Sequence, residues 1–115
     1  MVVNPEALIT EATSSDGLHN ITLEADFSVN EYFNYFKIGR LVVVNVGGLK
    51  TTNPASAILV TQNIPVQRSR AIGCLMNDTS NDNALLYGAV NSNRIWIAVH
   101  NTSVPYFGQF VYLTD

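Results

Sequence analysis

Tyr32-Phe33-Asn34-Tyr35-Phe36-Lys37-Ile38-Gly39-Arg40-Leu41-Val42-Val43-Val44-Asn45-Val46 is the stretch that decides the fold. Aromatic and β-branched residues fill both halves, and such side chains suit the pleated surface of a strand. Gly39-Arg40 between them is a two-residue loop. Glycine stands at its first position, where a positive φ is free of strain only without a Cβ. The spacing predicts a tight hairpin. Both of its faces are apolar, so it is expected to be buried on both sides, between sheets or between subunits. Gly47-Gly48 is read as its end.

Working outward, Ile21, Leu23, Ala25 and Phe27 alternate with Thr22, Glu24 and Asp26, the period of a half-buried strand. Ala57-Ile58-Leu59-Val60-Thr61 predicts another, stopped at Asn63-Ile64-Pro65. Ala71 to Met76 predicts a fifth, with Gly73 marking a bulge or a close backbone approach. Leu85 to Val90 and Arg94 to Val99 form a hairpin across Asn91-Ser92-Asn93, and Gln109 to Leu113 closes the chain as a strand apolar on both faces. Glu6 to Ala12 reads equally as a helical turn or a strand. The expectation is an all-β domain, a compact antiparallel β-sandwich or barrel over 18–115, with 1–17 a linker or extension from an upstream segment.

Composition narrows the function. Hydrophobic residues make up 47% of the 115 residues and charged ones 13%, about half the usual share of roughly 25%. Asn, Thr, Ser and Gln supply the polarity instead. Neutral amides and hydroxyls cost less to desolvate than ions, so much of the surface is expected to meet other protein. A net charge of −3 with scattered basic residues excludes a phosphate-backbone partner, so no nucleic acid is expected. No run approaches the roughly 18 apolar residues of a membrane helix, and no membrane insertion is expected. The single cysteine, Cys74, lies in an apolar run and is read as a small buried core residue.

Catalytic motifs are missing. His19 and His100 lack ligand spacing to each other or to Cys74, so no metal is expected. Asp78, Ser80 and Asp82 imitate the start of a calcium loop, but Asn83 and Ala89 stand where its glycine and closing acid belong. Glu24 and Asp26 share a strand face as any solvated pair would, without the facing carboxylates of a glycosidase. No cofactor and no enzymatic activity are expected. What remains suits a saccharide, which is held by an aromatic face and by neutral or charged groups bonding its hydroxyls. The candidate saccharide site is Trp96 with Arg94, Tyr87, Asn91, Asn93, Asp78, Asp82 and His100. The competing reading makes Trp96 simply core, between Ile95 and Ile97.

Four pieces carry a family resemblance: Tyr35 to Val44; the Ile64-Pro65 break after Ile58-Leu59-Val60; Arg94-Ile95-Trp96-Ile97; and Phe107 to Thr114. In this order they resemble the receptor-binding head domains of bacteriophage tail fibres and baseplates. The resemblance implies a knob-like homotrimer at the distal tail or baseplate tip of a virion. Its partners would be a saccharide on the host cell surface and other tail proteins. Some such heads hold a polyol or sugar with Trp, His, Asp and Arg. Trp96 falls on that Trp, while the His and Asp positions fall near Leu85 and Tyr87, so the ligand set differs. Two other classes compete: a structural trimerisation module of the same tail, and an unrelated β-sandwich lectin or adhesin.

Overall fold

The computed structural model describes residues 17–52, 55–77, 82–99 and 104–115, with the backbone alone at 55–59. The expectations for 1–16, including Glu6 to Ala12, lie outside them. Eight strands follow one another: β1 His19–Asn20, β2 Phe27–Ile38, β3 Leu41–Thr51, β4 Ala55–Thr61, β5 Ile72–Met76, β6 Asn83–Tyr87, β7 Ile95–Val99 and β8 Tyr106–Leu113. They form one antiparallel sheet in the order β1-β2-β3-β8-β5-β6-β7-β4. The sheet curls into a half-barrel, so the all-β expectation holds.

The β2–β3 hairpin sits where its sequence places it. Ile38 pairs with Leu41, and Gly39 carries φ 58° between them. The strand does not stop at Gly47-Gly48, however; β3 runs through both glycines to Thr51. A register shift between Gly47 and Leu49 along the β3–β8 pairing leaves Gly48 as an extra residue, and a shift between Val29 and Tyr32 sets Asn30 and Glu31 of β2 against it on the other side. Its φ is 83°, a conformation that only glycine adopts cheaply. A bulge bends the strand and increases its twist. A central strand that bends here curls the sheet on both sides of it.

The curl lets one face close on itself. Val42, Val44, Val46 and Leu49 of β3 point inward, with Phe33, Leu75, Leu86, Ile95, Ile97, Phe110 and Tyr112 around them. Each such side chain contributes about 1.5–3 kcal/mol when fully withdrawn from water. Gly73 does mark a close approach: a Cβ there would lie 2.8 Å from the Gln109 carbonyl oxygen of β8.

Two further expectations need correction. Ile21 to Phe27 is not one strand. Ile21 is buried, but the chain turns at Ala25-Asp26, with Phe27 N–H donating to Glu24 O at 3.2 Å. The segment bridges the open side of the half-barrel instead: Glu24 N–H donates to Val60 O of β4 at 2.9 Å, and Gln62 Nε2 to Glu24 Oε1 at 2.9 Å. Cys74 is exposed, not core. Strand alternation turns Gly73 and Leu75 inward and Ile72, Cys74 and Met76 outward, and a run apolar at every position conceals which set is which.

Gly48→Ala should lower stability by about 1–2 kcal/mol, the cost of the left-handed conformation for a residue with a Cβ. The new Cβ would also lie 2.8 Å from that of Asn30. Urea unfolding measures the loss; an unchanged midpoint would mean that the bulge is dispensable.

Candidate functional site

Tyr87, the last residue of β6, pairs with Trp96 on β7. Directly opposite residues share a sheet face, so the two rings meet, with centroids 6.3 Å apart and planes inclined by 21°. Both are half-buried. They floor an open cavity of about 530 Å³ whose wall also contains Arg70, Gly88, Ala89 and Val90. Trp96 is thus neither deep core nor fully exposed. Both rings leave part of their surface exposed to the cavity.

The cavity rim is the loop 88–94, and its shape comes from a residue that the sequence did not flag. Gln67 is fully buried, and its Nε2 donates to Ser92 O at 3.2 Å and to Arg94 O at 2.8 Å. Its backbone repeats the pattern, with Gln67 N–H donating to Ser92 O at 2.9 Å and Asn91 N–H to Gln67 O at 2.7 Å. Gly88 leaves the room: a Cβ there would overlap the Gln67 amide. Asn91 takes φ 67°, which Asn tolerates better than most residues. No periodicity marks Gln67. Its only signal is a polar residue beside the Ile64-Pro65 break, in a segment with no strand pattern.

Not all of the expected saccharide residues gather here. Tyr87 and Trp96 do. Arg94 lies just before β7 and outside the described cavity wall, where Arg70 supplies the guanidinium instead. Among the described residues Arg70 makes no ion pair or hydrogen bond. Asn91 is near, but its Oδ1 accepts from Arg68 Nη1 at 2.6 Å. Asn93 is exposed on the same loop, its carbonyl accepting from Ile64 N–H at 3.4 Å. Asp82 is separated from the rings. Met76 pairs with Asn83 at one end of the β5–β6 hairpin and Ile72 with Tyr87 at the other, a span of about 13 Å at the usual strand rise. Asp78 and His100 lie outside the described residues.

A polar clamp fixes this end of the barrel. Arg68 donates from Nε and Nη2 to the two carboxylate oxygens of Asp115 at 2.9 and 2.7 Å, while Nη1 holds Asn91. Tyr112 OH donates to Pro65 O at 2.8 Å, and burial pushes that phenol well above its ordinary range. The Arg68 guanidinium holds the Asp115 carboxyl below the usual carboxylate value. The described residues contain no group of three or more His, Cys, Asp or Glu placed to hold a metal ion. Glu24, read in sequence beside Asp26, has its carboxylate bonded by Gln62 at the seam.

Gly88→Ala should detach the loop from Gln67, destabilising the fold by more than 1 kcal/mol and speeding amide exchange at 88–94 above the rest of the sheet; exchange indistinguishable from wild type would contradict this role for Gln67. Asp115 stabilises above its unfolded pKa of about 3.9, and the contribution is lost as pH falls through its lower folded value. Wild type should therefore lose more of its urea midpoint than Asp115→Asn between pH 6 and pH 2, while equal losses would leave the ion pair without effect.

Comparison of the chain with protein-family models, with curated proteins and with solved structures finds no match.

Proposed function

We propose that this chain is the receptor-binding head of a bacteriophage tail fibre or baseplate, a homotrimer that recognises a saccharide on the host cell surface and does no covalent chemistry. The observation that supports it is the Tyr87–Trp96 pair, two half-buried rings 6.3 Å apart flooring an open cavity beside Arg70. A pyranose presents C–H groups on its faces and hydroxyls around its rim. The first suit a ring face, and the second suit a guanidinium and the backbone groups of Gly88, Ala89 and Val90. An open site displaces ordered water for modest gain, so affinity per site is weak, on the order of millimolar to micromolar. Three sites on one head, repeated over a tail, give attachment through effective concentration.

A second reading, a structural module that trimerises and contacts only other tail proteins, draws on a different observation. The outer face of the sheet is apolar, with Ile72, Met76, Val111 and Leu113 all exposed. An unrelated lectin or adhesin would bind the sugar as a monomer.

Titration calorimetry with host cell-wall oligosaccharide separates these readings. Trp96→Ala should abolish binding with the circular dichroism spectrum retained, and Arg70→Ala should weaken it roughly tenfold. A folded Trp96→Ala protein that binds as wild type does would move the site elsewhere. Incubation with the polysaccharide should release no new reducing ends; steady release abolished by replacing Glu24 or Asp26 would make the chain an enzyme.

A further inference from the structure

The basic residues are spread through the sequence, yet all of them except Lys50 gather at one end of the sheet. Lys37 and Arg40 flank the β2–β3 turn, where Ile38 pairs with Leu41. Thr114 N–H donates to Arg40 O at 2.8 Å and Arg40 Nε to Thr114 O at 3.1 Å, which brings the end of β8 to that turn. Beside it Arg68 N–H donates to Leu113 O at 2.7 Å, and Arg70 follows in the cavity wall. Arg94 ends the loop 88–94 that Gln67 holds. The acids lie elsewhere, with one exception among the described residues. Asp26 precedes β2, and Glu31 stands about 23 Å from Ile38 along it at the usual strand rise. Asp82 precedes β6 at the far end, where Asn83 pairs with Met76. Glu24 is at the seam, bonded by Gln62. Only Asp115 sits among the cations, and Arg40 and Lys37 act on its carboxyl together with Arg68. A chain of net charge −3 thus has one positive end.

These cations are not equally available. Arg68 spends Nε and Nη2 on Asp115 and Nη1 on Asn91. Arg70 is exposed, lines the cavity, and among the described residues makes no ion pair or hydrogen bond. The cavity therefore offers one uncommitted guanidinium beside its aromatic floor, inside the field of its basic neighbours. A guanidinium fork matches the two oxygens of a carboxylate, and such charge-assisted bonds are stronger than those to hydroxyls. A neutral sugar gains nothing from the field, whereas an anion is drawn into it. A nucleic-acid backbone calls for a stripe of free cations, and this wall has one. A bare anion would leave Tyr87, Trp96 and Val90 uncovered. A pyranose that carries a carboxylate on its ring uses both the floor and the wall.

We propose that the cavity selects an acidic saccharide, a sugar of the uronic-acid class, whose ring lies on Tyr87 and Trp96 and whose carboxylate pairs with Arg70. This rests on the saccharide reading of the same cavity and narrows it to one class of sugar. Arg70 is then the residue that sets specificity, while Lys37, Arg40 and Arg94 draw the anion in without touching it.

Calorimetric titration with a matched pair of sugars tests it: an oligogalacturonate, and the neutral oligogalactose made from it by reducing its carboxyl groups. Wild type should bind the acidic member about tenfold more tightly. That preference should shrink as salt rises from about 0.05 to about 0.5 M, because the attraction acts through solvent. Arg70→Gln, which keeps an amide donor and loses the charge, should bind both sugars alike, at the level of the neutral one. Lys50→Gln, at the other end of the sheet, should retain the wild-type preference. Equal binding of the two sugars by wild type, or a preference that survives in folded Arg70→Gln, overturns the acidic class and leaves the saccharide reading standing. An oligoglutamate peptide that binds through Arg70 while neither sugar binds overturns the saccharide reading and with it the proposal. An oligonucleotide that binds as tightly as the oligogalacturonate overturns the choice of a carboxylate, and silence from every probe overturns the site.

Discussion

Everything in this structure follows from the two-residue period of a strand set against a sheet that can close on only one of its faces. β3 carries valines toward both sides, and the bulge at Gly48 bends it so that Val42, Val44 and Val46 enter a common core with Phe110 and Leu86. The other face keeps Leu41 and Val43 and gains no second layer among the described residues. The outer face therefore leaves Ile72, Met76, Val111 and Leu113 exposed, and contiguous apolar surface of that kind is what interaction sites are made of.

The candidate binding cavity is a local consequence of how the last hairpin is finished. β6 and β7 end their regular pairing at Tyr87 and Trp96. Beyond that point the backbone bonds of the loop come not from a strand but chiefly from Gln67, whose side chain and main chain both reach the loop carbonyls, with Ile64 N–H donating to Asn93 O beside it. The rim is therefore hydrogen-bonded to Gln67 while Tyr87 and Trp96 keep part of their surface exposed to the cavity. Arg68 ties Asn91 to Asp115, so the same corner joins the loop, the 65–69 segment and the end of β8.

Much of the fold was legible because its signals were local. The Gly39-Arg40 turn and the approximate places of β4 to β8 follow from turn chemistry and alternation, whereas β6 ends at Tyr87 and not at Val90, and the Tyr87–Trp96 register is set by the longer loop 88–94 that the sequence reading took as 91–93. The failures share a cause. Ile21 to Phe27 alternates as a strand does, yet a turn at Ala25-Asp26 directs it across the seam, where tertiary contact with Val60 outweighs pattern. Gly47-Gly48 looked like a stop and is a bulge, because paired strands on both sides carry the chain through. Cys74 looked buried because a run apolar at every position carries no phase. At the site, Arg94 was placed with Trp96 by spacing alone, while Arg70, distant in sequence, is brought to the cavity by a fold that no local pattern encodes. Gln67 was illegible for the same reason.

Trp96 is the only tryptophan in the chain, so its fluorescence reports on the cavity without interference from any other indole. Titration of the intact protein with host cell-wall oligosaccharide should shift and change the intensity of the emission along a saturating curve, as a sugar face replaces water over the indole. Emission that stays constant while calorimetry registers binding would place the ligand away from Tyr87 and Trp96 and contradict the account.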